Sequence, residues 1–388
     1  MRQTSQWRFG RYVGGWSFRY DDLRVVIAIL VLGRRQRIDL ESSFEGAPAR
    51  CCHGWRPAGR SRWTNSCGIR GKPELIMNLN RWFCALGLVL TVLPAFAAEP
   101  TRRIDVIGIT VSSLANPYFG ALVRAAQDRA LEVNARVRVI STASEYDVPA
   151  QIHEIERFIA EHVDLILIAA SSPRDLGPVL RRAKAAGISV VAVDVDTEGA
   201  EVTIQSDNRG AGEVVCRDLA TRIGGKGRMV IENGPQVSSV IERVEGCKAA
   251  LKTYPEIHLL ADQGDGLASP WGGGKLMEGI LARYPQFDAL FAINDRQALG
   301  AESVARRAGL NRLLIGSVDG SPEVEAAMKR AGLIVVSAAQ TPALIGQRAV
   351  DIGLSLREGK PVERRRILLP TPLLTRDNLP RYRGWDAR

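Results

Sequence analysis

The stretch Ile104-Asp105-Val106-Ile107-Gly108-Ile109-Thr110-Val111, followed at once by Ser112-Ser113-Leu114-Ala115-Asn116-Pro117-Tyr118-Phe119, decides the fold. Its first part is mostly apolar and β-branched, the composition of a strand covered on both faces. Its second part places hydroxyls, an amide and two aromatics where a helix begins, and Leu122, Ala126, Ala130 and Val133 then fall on one face at helical spacing. The unit is a buried strand, a polar corner and an amphipathic helix.

The same unit recurs along the chain. Val137 to Ile140 reads as the next strand, Ile152, Ile155 and Ile159 mark a second helix, and the strand Leu165 to Ile168 follows. A third helix ends near Gly187, and Ser189 to Val193 is a fourth strand. Strands at Val202 to Gln205, Met229 to Ile231, Ala289 to Ile293 and Leu313 to Ile315 continue the pattern, each with a helical segment behind it. Alternating βα units imply parallel sheets with helices on both faces. Two such series in 388 residues imply an α/β protein of two doubly wound, parallel-sheet lobes. The crossover between them is expected at Asp196 to Ala200, and the helix running from Gln340 through Leu356 is expected as a late addition.

The net charge of +10 would fit a nucleic-acid binder if it were spread over the chain. It is not. Residues 1–76 carry 14 Lys and Arg against 6 Asp and Glu, and with Arg81 nine of the ten surplus charges lie ahead of Ala98. Those first residues also hold Trp7, Trp16, Trp55, Trp63, Cys51, Cys52 and Cys67 without helical or strand periodicity. They are expected to be a disordered extension upstream of the true start, which is placed at Met77. From there Arg81, the apolar run Phe83 to Val92 and the A-x-A site Ala95-Phe96-Ala97 form a signal peptide, so that the mature chain begins at Ala98 and is periplasmic. Of the cysteines only Cys216 and Cys247 remain beyond that point. An oxidising compartment allows them to pair, but both fall on expected helices and small buried cysteines are common, so two separate thiols are the simpler expectation.

The motifs of common hydrolases and metalloenzymes are missing: there is no G-x-S-x-G, no H-E-x-x-H and no paired C-x-x-C. Gly272-Gly273-Gly274-Lys275 lacks the spacing of a phosphate loop and reads as a helix start capped by Ser269 with Pro270 in the first turn. No catalytic residue, metal ligand or cofactor is assigned. In open parallel sheets ligands bind outside the carboxyl ends of the strands, which directs attention to the polar corner at Ser112 to Phe119, to Asp194 after Val193, to Asn294-Asp295 after Ile293, and to Asp319 after Val318. Each could be a cap or turn residue, but their recurrence at equivalent places points to one site. Hydroxyl, amide and carboxylate groups beside aromatic rings suit a sugar, whose hydroxyls need donors and acceptors while its C–H faces stack.

From about Ile104 to Leu374 the chain resembles the periplasmic sugar-binding proteins of the ribose-binding type. The resemblance is carried by Val111-Ser112-Ser113-Leu114-Ala115-Asn116-Pro117-Tyr118-Phe119, Ser206-Asp207-Asn208, Glu242-Arg243-Val244-Glu245-Gly246-Cys247, Phe291-Ala292-Ile293-Asn294-Asp295 and Gly316-Ser317-Val318-Asp319-Gly320. It implies a type I periplasmic binding fold with a multi-strand hinge, the first lobe being 98–199 plus 341–370 and the second 200–340 plus 371–388. Ser112, Asn116, Tyr118, Phe119 and Asp194 are then the first-lobe contacts, Arg243, Asn294 and Asp319 the second-lobe contacts, and Gln340 a hinge contact. The implied function is that of a monomeric, non-enzymatic receptor that hands a sugar to an inner-membrane ABC permease; the alternative is a sensor subunit engaging a chemoreceptor or histidine kinase. No nucleic-acid partner is implied. The chain departs from ribose binders at Ala169, where Asn is usual, at Val195, where Arg is usual, at Ala268, where an aromatic is usual, and at Cys247, where Phe is usual. These losses argue against ribose itself, and Trp271 is the expected replacement for the missing ring.

Overall fold

The computed structural model describes residues 103–362 and 364–385; the extension expected at 1–76 and the signal peptide expected at 77–97 lie outside them. Twelve strands and nine helices follow in the described chain. In order they are β1 (Val106–Val111), α1 (Pro117–Val133), β2 (Arg138–Ala143), α2 (Val148–Ala160), β3 (Leu165–Ile168), α3 (Gly177–Ala185), β4 (Ser189–Val193) and β5 (Val202–Ser206). Then come α4 (Asn208–Arg222), β6 (Lys226–Glu232), α5 (Ser238–Leu251), β7 (Glu256–Ala261), α6 (Pro270–Arg283), β8 (Ala289–Ala292), α7 (Asp295–Arg307), β9 (Leu314–Asp319), α8 (Pro322–Lys329) and β10 (Ile334–Ala339). The chain closes with α9 (Pro342–Arg357), β11 (Arg366–Leu369) and β12 (Leu373–Thr375).

The strands form two sheets of six, ordered β11-β5-β4-β3-β1-β2 and β12-β10-β9-β8-β6-β7. Apart from the antiparallel β10–β12 pair, every pairing is parallel. The central strands β3, β4 and β8 are buried at every position, as their uninterrupted apolar runs require. In each sheet the chain begins on an inner strand, turns to one edge and then works back toward the other, which creates a switch point at the strand carboxyl ends. The two lobes are copies in this respect: β4 lies between β5 and β3, and β9 lies between β10 and β8.

The expected crossover at Asp196 to Ala200 is corrected. β5 pairs in parallel with β4, Val191 opposite Val202, and belongs to the first sheet. Residues 200–206 are therefore first-lobe residues, and the chain crosses at Asp207, which caps α4 by accepting from Gly210 N at 2.9 Å. The difference has a physical source: no helix separates β4 from β5, so the alternation is broken there and the sequence pattern alone places the strand in the next series. The later crossings fall at Gln340 and between β11 and β12. α9 packs against α1 and β4, so it is an integral layer of the first lobe.

Cys216 and Cys247 form a disulfide across α4 and α5, with Cα atoms 5.1 Å apart, against the expectation of separate thiols. The helices can approach so closely because glycines face the partner backbone: a Cβ on Gly212 would run into the carbonyl of Arg243, and one on Gly246 into that of Arg209. Ser269 caps α6 as expected, accepting from Gly272 N at 3.0 Å. Among the described residues, no helix is long and apolar enough to cross a membrane, and no group of three or more His, Cys, Asp or Glu is placed to hold a metal ion.

Candidate functional site

All nine residues singled out from the sequence line one cavity between the carboxyl ends of the two sheets: Ser112, Asn116, Tyr118, Phe119 and Asp194 from the first lobe, Arg243, Asn294 and Asp319 from the second, and Gln340 at a crossing. The enclosed space is small in this arrangement, about 30 Å³, with polar groups of both lobes converging on it.

Several of these residues also serve the backbone. Asn116 caps α1 with its Oδ1, accepting from Tyr118 N at 3.1 Å. Asn294 does the same for α7, accepting from Gln297 N at 2.9 Å, and its Nδ2 donates to Ala268 O at 3.3 Å. Ser112 donates to Ala169 O at 3.3 Å, tying the end of β1 to the end of β3. Being a cap fixes the side chain at the mouth of a helix N-terminus, where the strand ends already converge, so the two roles coexist.

Arg243 is 4% exposed and is held from two sides. Its Nε donates to Asn208 Oδ1 at 2.9 Å and its Nη1 to Ile293 O at 2.9 Å, while Nη1 lies 3.7 Å from Asp319 Oδ1. Gln340 bridges the lobes: its Nε2 donates to Asp319 Oδ1 at 2.7 Å, and its Oε1 accepts from the Tyr118 hydroxyl at 3.3 Å. Trp385, near the end of the described chain, donates to Asp319 O at 2.8 Å and meets the Tyr118 ring edge to face at 5.8 Å. Sequence reasoning missed Trp385, since nothing in its local pattern shows that the chain returns to the cleft.

The two cleft carboxylates occupy matching places at the carboxyl ends of β4 and β9, and both have strained backbones, φ +65° at Asp194 and +134° at Asp319. Burial pushes both carboxyls above their usual range, with the Arg243 guanidinium pulling each back. Asp194 is 5% exposed, and its Oδ1 has no hydrogen-bond partner.

Tyr146, Val237, Ser239, Val240 and Ile293 join the lining, as do Val195 and Ala268. Tyr146 follows β2 in a left-handed turn, φ +63°; the polar corner after that strand was the available signal. Ala169 and Cys247, two of the departures from the ribose pattern, are buried away from the cavity. Trp271 does not replace the missing ring: it stands in the first turn of α6, 67% exposed and outside the lining, because Pro270 and the helix direct it outward from the Ser269 cap.

A paired-lobe cleft with polar groups converging from both sheets is the architecture of a periplasmic-type binding protein. The chain belongs to that family: the model of the periplasmic binding protein domain matches residues 107–361. Curated relatives include the ribose import binding protein RbsB of Bacillus subtilis, 29% identical over 72% of this chain and 93% of that protein. The xylitol-binding protein of Mycolicibacterium smegmatis is 27% identical over 76% of this chain and 84% of the relative. Among solved structures, an ABC transporter solute binding protein of Bacillus halodurans with bound myo-inositol aligns with a TM-score of 0.67 at 22% identity, over 73% of this chain and 98% of that one. That likeness is one of fold.

Proposed function

We propose that this protein is the exported substrate-binding component of an ABC transporter, closing its two lobes on a single sugar or sugar-like polyol and presenting it to an inner-membrane permease. One observation carries the reading: nine side chains from two lobes and a crossing, combining amide, carboxylate, guanidinium and hydroxyl groups with aromatic rings, converge on one cavity between the lobes. The named ligands of the relatives, ribose and xylitol, are of this chemical class. The protein acts as a receptor and not as an enzyme, in keeping with its family, and a cleaved leader at Ala95-Phe96-Ala97 delivers it to the periplasm as a monomer.

A thermal-shift screen against monosaccharides and polyols, followed by calorimetry, tests the reading. A ligand at a hundred times its Kd stabilises the folded protein by about 2.7 kcal/mol, so a true ligand raises the melting temperature clearly. A screen in which only small acids or peptides bind would reject it.

A further inference from the structure

We propose that the ligand of this cleft carries a protonated amine, an amino-substituted sugar or cyclitol whose ammonium group docks on the carboxylate of Asp194. The proposal rests on the sugar-receptor reading and narrows it. Two carboxylates line the cavity, Asp194 and Asp319, against one guanidinium, Arg243. That guanidinium is held toward Asp319, 3.7 Å away, by its bonds to Asn208 and Ile293, and acts on Asp194 only from beyond ion-pair distance. Asp319 has, in addition, the amide of Gln340.

Asp194 has no ion pair and no partner for its Oδ1, and only the more distant Arg243 and the Tyr118 side chain draw its carboxyl down. The neighbouring Val195 puts methyl groups into the lining where a cation would balance the charge. Arg296, the next cation, is half-buried and donates to Ala115 O at the rim of the cleft. Behind Asp319 a third carboxylate, Asp295, is held by Ser317, Ser337 and the N–H of Ser321, and adds negative field without lining the cavity.

A buried carboxylate lacking a cation is strongly destabilising unless it takes a proton or gains a charged partner. An ammonium ion answers that need, since it supplies both the charge and donors for Oδ1. Burial raises the Asp194 carboxyl, and an ammonium beside it would hold it ionised. The rings of Tyr118, Phe119 and Tyr146 line the same space, and aromatic faces attract a cation. Asn116, Asn294 and Arg243 remain for the hydroxyls. A free amino acid fits less well, since its carboxylate would enter a cavity that is already negative.

The experiment is calorimetry at pH 6.5 with matched sets: glucosamine, glucose and N-acetylglucosamine; the galactose equivalents; and an inosamine with myo-inositol. In at least one set the amine should bind at least about tenfold more tightly than its neutral parent and its acetylated form. Asp194→Asn should collapse that margin, and Asn tolerates the left-handed backbone at this position. If the variant fails to fold, the comparison within each set on the unaltered protein still decides. Neutral members binding as tightly as their amines, or an Asp194→Asn protein that keeps the preference, would overturn the proposal while leaving the sugar receptor intact. Binding of no member, neutral or charged, would overturn the proposal, and the reading as a sugar receptor would then be decided by the wider screen of monosaccharides and polyols.

Discussion

Arg243 shows how one side chain can hold a site together and recognise a ligand. Its Nε and one Nη are used on Asn208 and Ile293, and its charge faces Asp319. Arg243→Ala should therefore act twice. Hydrogen bonds to a charged group contribute about 1.5–3 kcal/mol each, so loss of two should weaken ligand binding by about a hundredfold or more. Breaking a buried pair also leaves Asp319 uncompensated, a destabilisation of about 3–5 kcal/mol. Calorimetry and chemical denaturation on the same variant measure the two effects, and an unchanged affinity would show the guanidinium to be purely structural. The buried carboxyls set a pH dependence as well. Asp194, Asp295, Asp319 and Glu232 are all pushed upward, chiefly by burial. A carboxyl raised in the folded state binds protons more readily there than when unfolded, so its stabilising effect is present at low pH and is lost as pH rises through the folded value. The more exposed Asp262, lowered by its bond to Lys248, works weakly in the opposite sense. The ligand-free protein should melt at a higher temperature at pH 5 than at pH 7.5. A melting temperature that falls on acidification would contradict this assignment.

Helices α4 and α5 form the element on which Arg243 depends. Gly212 and Gly246 let their backbones meet, Asn208 on one orients Arg243 on the other, and the disulfide fastens the pair. The two cysteines are separated by 31 residues, and closing a loop of that size in the unfolded chain stabilises by roughly 3–4 kcal/mol in the chain-entropy description. Replacing both cysteines with serine should lower stability by about 2–4 kcal/mol and weaken ligand binding to a smaller extent, because the Gly contacts and the Asn208 bond remain. Denaturant unfolding of the double variant beside the oxidised protein checks this, and identical midpoints would show that the bridge constrains nothing. This pairing was beyond sequence reasoning because it depends on which faces of two helices meet. The assignment of β5 failed for a related reason, since a parallel neighbour reached without a helix leaves no local mark.

The lobes meet around the cavity through direct hydrogen bonds. Arg296 donates to Ala115 O at 2.6 Å, the backbone N–H of Asp196 donates to Ser238 Oγ at 2.6 Å, and Gln205 donates to Glu242 Oε2 at 3.0 Å. A ligand that satisfies both sets of cavity groups binds this form preferentially and shifts the population toward it. The rotation should be absorbed at Asp207, Gln340 and the β11–β12 connection. Small-angle scattering should give a smaller radius of gyration with bound ligand than without. A bound ligand that leaves the radius unchanged would require a preformed pocket in place of a hinge.

Period and punctuation in the chain were sufficient for the α/β class, the two lobes and the polar strand ends, because a strand covered on both faces must be apolar throughout and its polar residues are pushed to its carboxyl end. The resemblance to ribose-type binding proteins then named Arg243, which no strand end marks, and Gln340, which follows β10. Three-dimensional folding decided what local pattern cannot carry: the place of β5, the return of Trp385 to Asp319, the outward course of Trp271 and the joining of Cys216 to Cys247. It also decided the charge balance of the cleft. Whether a buried carboxylate has a partner depends on the directions taken by distant side chains, and here those directions serve Asp319 and leave Asp194 Oδ1 without one.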